Sequence, residues 1–239
     1  MIARLLGAIQ FLTVVPVKAR TAALGKSSVF FPLVGAALGF AGGWILEIAR
    51  GFIPWTLSAL LVLCFWALIT GGLHEDAFAD CADAFRAYRS PEKIREILKD
   101  SRVGAHGALA LILVSLVRWQ ALAAIASDPV RGLTGVFSVS RASVVALAWM
   151  APPAGSGSGM EFSRTLSTPI AIAAILQAGI FALWSGAGLL LFSGAAIIVL
   201  TSRRYFEKRI GGVTGDCLGM TAFLVETWGL ILFTCQRCM

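Results

Sequence analysis

Asp76, Asp80 and Asp83 stand at i, i+4 and i+7 in the stretch GGLHEDAFADCADAF, which also holds His74 and Glu75. On a helix that spacing puts three carboxylates on one face. Like charges so placed repel, and a divalent cation reverses the sign of the interaction. Magnesium takes hard oxygen ligands, keeps several waters and bridges one or two carboxylates to substrate phosphates. The competing reading is an exposed acidic stripe paired with Arg86, Arg89 and Arg95. A second segment, GGVTGD at 211–216, offers a fourth carboxylate in Asp216, a hydroxyl in Thr214, and glycines that let backbone N–H groups approach a ligand, Gly215 among them. In a third, DSRVGAHG at 100–107, the planar fork of Arg102 suits phosphate oxygens. His106 there can donate to a phosphate or relay a proton, or be an ordinary structural histidine. Arg141 lies inside an apolar run, where an arginine needs an acid or an anionic ligand. The acidic cluster or a substrate phosphate is its expected partner, while Arg118 is expected to snorkel to the membrane surface.

These residues must be held by a membrane protein. Of 239 residues 58% are hydrophobic and 14% charged, against about 25% charged in soluble domains. Apolar runs cover 29–49, 54–73, 105–126, 133–150, 169–200 and 218–235, and a bilayer core needs about 20 helical residues per crossing. The run 169–200 is too long for one crossing, and Trp184, Ser185, Gly186 and Gly188 offer a turn inside it. The sequence therefore predicts an all-α polytopic helical bundle of about seven transmembrane helices, in one membrane domain over 1–239. An N-terminal interfacial helix ends before Pro16, with Arg4 and Gln10 toward headgroups.

Alternate loops separate by charge. Fifteen of the 20 Lys and Arg residues fall on one side and only Arg50, Arg131 and Arg237 on the other. Because cytoplasmic loops carry the basic excess, the N-terminal segment 1–28 and the loops 74–104 and 203–217 are placed in the cytoplasm, bringing both acidic motifs to one face. The net charge of +7 is accounted for by this asymmetry and by anionic lipids, not nucleic acid. PPAGSGSG at 152–159 reads as a flexible tether, and SPEKIREILK as a short surface helix capped by Ser90. The glycine-rich GAALGFAGG at 35–43 reads as a face for close helix packing. Five scattered cysteines imply no disulfide framework, and Cys235 with Cys238 is a lone CxxC near the C-terminus.

Together, FPLVG at 31–35, GGLHEDAFADCADAF, DSRVGAHG, Ser140-Arg141 and GGVTGD, in this order over nearly the whole chain, resemble the cobalamin synthase family, also called adenosylcobinamide-GDP ribazoletransferase. The family pattern departs here at Ala77 and Ala84, where glycine is usual, at Val14 and Val15, where an arginine is usual, and at Phe223, where a carboxylate is common; Glu226 fits a second one. The resemblance implies a magnesium-dependent bacterial inner-membrane transferase. It would join adenosylcobinamide-GDP to α-ribazole or its 5′-phosphate, release GMP, and give adenosylcobalamin or its phosphate. Asp76, Asp80, Asp83 and Asp216 would hold magnesium and Arg102 and Arg141 would clamp phosphate. Glu75 or Asp83 would take the acceptor's proton, and His74, His106, Thr214 and Gly215 would contact substrate.

Two rivals remain at the level of the residues. A cation-coupled transporter also uses intramembrane charge, but predicts inverted repeats and acids at midplane depth. Another membrane nucleotidyl-alcohol phosphotransferase would carry its aspartates in one tight motif. Homo-oligomerisation is left open.

Overall fold

The computed structural model describes residues 1–86, 89–100, 102–154 and 158–235. Arg237, Cys238 and the centre of the 152–159 tether lie outside these. The helices are α1 (Ile2–Leu12), α2 (Leu24–Ser27), α3 (Phe31–Ala49), α4 (Trp55–Thr70), α5 (Leu73–Ala84), α6 (Pro91–Ile97), α7 (Ala105–Ala124), α8 (Pro129–Met150), α9 (Ser158–Thr165), α10 (Thr168–Trp184), α11 (Gly188–Ile210) and α12 (Gly215–Leu232). No strand of two or more residues occurs among the described residues; Pro153 and Val213 form a single bridge.

Five helices are long and apolar enough to cross a membrane, and there are seven crossings if the bent pairs α4–α5 and α9–α10 each count as one. This is an all-α polytopic membrane protein. The turn expected within 169–200 falls at Ser185 to Ala187, with Gly186 at φ +86°.

The long helix α8 is the central post, packed by α3, α10, α11 and α12. In lipid the hydrophobic effect does not drive one apolar helix onto another, so close backbone approach has to hold them. The 35–43 glycines do this. A Cβ on Gly39 would lie 2.1 Å from the Leu133 carbonyl oxygen, and one on Gly35 2.3 Å from that of Phe137. Spaced four apart, Gly35, Gly39 and Gly43 form the α3 seam against α8.

Contacts between loops gather at two ends of the bundle. At one end Arg209 donates to the Arg86 carbonyl at 2.8 Å, Arg95 to that of Ile210 at 2.8 Å, and the Gly25 N–H to Thr165 Oγ1 at 3.0 Å. These contacts gather the N-terminal segment, the α5–α6 region, α9 and the α11–α12 turn. At the other end Arg50 reaches the Ile125 carbonyl, and Arg131 lies over the Trp184 ring.

The span over 54–73 does not run on as a straight helix into the acidic stretch. Gly71 and Gly72 are both left-handed, at φ +64° and +68°, a conformation glycine adopts without strain. The axis turns by 89° between α4 and α5. Thus α5 runs nearly perpendicular to α4, at the basic end of the bundle. As expected, α6 is capped by Ser90, whose Oγ accepts the Lys93 N–H at 3.3 Å. Its Ile94 is fully buried.

Candidate active site

The carboxylate helix α5 is packed along the start of α12. A Cβ on Gly219 would stand 2.5 Å from that of Ala77, so the two backbones meet where one residue has no side chain and the other only a methyl. Cys81 and Cys217 are both buried at the same seam, and Phe78 meets Phe223 with centroids 5.2 Å apart. Helix α12 begins at Thr214, whose Oγ1 accepts the Cys217 N–H at 3.4 Å. That places Asp216 in its first turn, where a negative charge suits the helix dipole.

The result faces Asp76 and Asp80 of α5 toward Asp216 of α12. Asp76 is exposed, and with His74, Gly215 and Asp216 it lines a cavity. Burial, then the charges of Asp76, Asp216 and Asp83, push the Asp80 carboxyl up to about 6. Among the described residues none of the four carboxylates has a basic ion-pair partner. The neutralised-stripe reading fails here: Arg89 donates to the main-chain carbonyls of Asp83 and Ala84, and Arg95 to that of Ile210.

Asp83 differs from its neighbours. Its Oδ2 accepts the Gly104 N–H at 2.7 Å, and a Cβ on Gly104 or Gly107 would strike this carboxylate. It caps the start of α7 and docks the 100–107 segment on α5.

Among the described residues no three His, Cys, Asp or Glu side chains close on one point as a ready-made metal cage. Magnesium does not need one, since it usually binds through one or two carboxylates, waters and substrate phosphates. Uncompensated hard oxygens on two facing helices fit that demand, with Asp76, Asp80 and Asp216 as the donors.

The remaining candidates are dispersed. Glu75 is half-buried on α5 and His106 is exposed in the first turn of α7. Arg102 is exposed and holds Asp100 through contacts of 2.6 to 3.1 Å. That guanidinium keeps the Asp100 carboxyl at about 2.

Arg141 is not at the carboxylate face. It is 1% exposed, and its partner is Glu226 on α12 together with Ser140 Oγ at 2.9 Å. Arg118 does not snorkel either: it reaches the same Glu226 at 2.9 Å and lies 4.2 Å over the Phe223 ring. An arginine so far from water is stabilised by a carboxylate in reach more than by a distant headgroup. His74 is buried against this group. The sequence shows each charge in its apolar run, but not that α7, α8 and α12 bring them together. Also unforeseen are the cavity walls supplied by Phe11 of α1, Leu24 of α2 and Phe162 of α9; α9 begins within the stretch that reads as a tether.

Comparison with known proteins shows the family. The family model described as Cobalamin-5-phosphate synthase matches residues 4–234. Similar curated proteins include adenosylcobinamide-GDP ribazoletransferases of Bradyrhizobium diazoefficiens, 37% identical over 89% of this chain and 85% of that one, and of Ralstonia pickettii, 32% identical over 94% and 93%. That of Geotalea daltonii is 35% identical over 92% of each. No solved structure matches. The family match spans α1 to α12 and so includes both carboxylate helices, and on that ground the chain belongs to the cobalamin-5-phosphate synthase family.

Proposed function

We propose that the protein transfers the cobinamide phosphoryl group of adenosylcobinamide-GDP to a ribose hydroxyl of α-ribazole, or to the same hydroxyl of α-ribazole 5′-phosphate, with release of GMP. The observation that carries this reading is the facing of Asp76 and Asp80 with Asp216, three carboxylates without a basic partner among the described residues. A diphosphate cannot approach such a face unless a cation accompanies it. Magnesium, when bound, supplies charge neutralisation of the diphosphate and of the departing GMP phosphate.

The chain's own residues do the rest. Asp76, Asp80 and Asp216 would hold magnesium at the mouth of the cavity, where the diphosphate binds. A new P–O bond forms to the ribazole oxygen as the phosphoanhydride bond to GMP breaks. Asp83 is engaged by the Gly104 N–H, which leaves Glu75, next to Asp76, as the carboxylate available for the hydroxyl proton. Arg102 takes a diphosphate oxygen by exchanging Asp100 for it, since both are anions and the fork is exposed. Thr214 and Gly215 hold the start of α12 in place beside them. In our reading α5, the 100–107 segment and the α11–α12 turn lie in the cytoplasm of a bacterial inner membrane, the side where the basic residues gather.

The test is GMP release by purified protein in lipid vesicles given adenosylcobinamide-GDP, α-ribazole and magnesium. The proposal requires GMP and a corrinoid product in equal amounts. GMP formed at the same rate without α-ribazole would reassign the protein as a hydrolase.

A further inference from the structure

Away from the carboxylate face, α10 and α11 pack on α8 and leave a recess between them. It holds about 230 Å³ and is lined by Ala142 and Ala146 of α8, Ile175 of α10, and Phe192, Ala195 and Ala196 of α11. Ser143 lines it too, but its Oγ donates to the Ser140 carbonyl at 2.6 Å, so the hydroxyl proton is already committed. Past Ile175 and Phe192 the recess opens into a cleft of about 500 Å³ between α10 and α11, walled by Leu176, Ile180, Leu183 and Leu189. Volume left open between helices forfeits dispersion contacts on both sides. An apolar occupant recovers them.

Length and charge select that occupant. Between Val139 and Met150, which both line it, the recess follows α8 for about 16 Å at the helix rise of about 1.5 Å per residue. That is about half of the roughly 30 Å hydrocarbon core, the depth of one leaflet. Its mouth lies at the basic end. There the Trp149 indole N–H donates to Thr168 Oγ1 at 3.2 Å, an amphipathic ring of the kind that sits at headgroup level. Arg204 stands one turn beyond Leu200, which lines the recess. Arg203 is paired with Glu207 at 2.8 Å, whereas Arg204 is exposed and has no ion-pair partner among the described residues. A second copy docked here about an axis along the membrane normal would bring Arg203 and Arg204 toward their own counterparts, and like charges so placed oppose the contact. An anion at the mouth has the opposite effect.

We infer that the recess between α8, α10 and α11 is a binding site for an anionic phospholipid, with an acyl chain against Ala142, Ala146 and Ala196 and the phosphate at Arg204. The chain fills the space that the small side chains leave open and so ties the α10–α11 hairpin to the central post. The site is independent of the reaction proposed above.

Native mass spectrometry tests it on the full chain released from micelles that hold equal amounts of phosphatidylglycerol and phosphatidylcholine with the same acyl chains. Wild-type protein should keep one phosphatidylglycerol, in preference to phosphatidylcholine by about fivefold, the weight of one cation at an anionic surface. Arg204→Gln, a change at an exposed position, should still keep one lipid but lose the preference. Ala196→Trp, which fills the recess from its exposed side, should lose both lipids while its melting temperature in detergent shows that it is folded. Equal retention of the two lipids by wild-type protein, a preference that survives Arg204→Gln, or unchanged retention in folded Ala196→Trp would each overturn the assignment. So would a wild-type dimer that Ala196→Trp dissolves, since the recess would then belong to a second copy.

Discussion

At the scale of residues, the three aspartates of one helical stripe have different tasks. Asp83 serves the start of α7, whereas burial and then the charges of three other carboxylates raise Asp80 to about 6. A folded-state value above the ordinary 3.8 means that the metal-free fold binds this proton more tightly than the unfolded chain. The stabilisation it brings is full below about pH 4 and is lost as pH rises through about 6. Protein stripped with a chelator should therefore lose thermal stability across that window. Magnesium should restore it at about pH 7.5 and have little effect at about pH 5, where protons compete for the same oxygens. Melting curves in detergent at the two pH values check this, and an equal magnesium effect at both would contradict it. The i, i+4, i+7 spacing was enough to read the shared face. It could not show that Asp83 turns aside, because its partner, Gly104, lies 21 residues on and is brought near only by the fold.

At the scale of elements, the site depends on how closely α5 lies on α12. Gly219→Leu would drive a side chain into Ala77, where even a Cβ stands at 2.5 Å. Overpacking of this kind costs about 1–3 kcal/mol. The larger consequence should be the parting of Asp216 from Asp80, so that activity falls further than stability; a variant with normal activity would show that the seam does not set the site. Deeper in the bundle, Glu226 is the one acid paired with Arg118 and Arg141 among the described residues. Glu226→Gln leaves two guanidinium groups without a counter-charge, and breaking a buried pair costs about 3–5 kcal/mol. A loss of thermal stability near that size is expected, and a change under about 1 kcal/mol would mean the pairs are not formed. Helix positions and the 185–187 turn were legible from apolar run lengths and glycines. The 89° turn was not, since Gly71-Gly72 marks a break without giving its direction, and Phe223, apparently a lost family carboxylate, shows its use only when Arg118 is seen lying on it.

At the scale of the molecule, charge asymmetry divides the loops into two groups without reference to any contact, because translocation bias is a property of the whole chain. The gathering of the N-terminal segment, α5, α9 and the α11–α12 turn at one end follows that sorting. The rim of the cavity was legible residue by residue, but its apolar wall was not, since α1, α2 and α9 meet there through aromatic contacts with no sequence spacing to announce them. The central claim is that carboxylates from two distant helices act together on one diphosphate, and it is tested most directly by GMP release from Asp80→Asn and Asp216→Asn at saturating magnesium, each confirmed to be inserted and folded. Both should lose at least about a hundredfold in turnover, the scale of removing one electrostatic group from a phosphoryl-transfer site, and the double variant should lose little more than either alone. Near-normal turnover in Asp216→Asn, or losses that simply multiply in the double variant, would contradict a shared site.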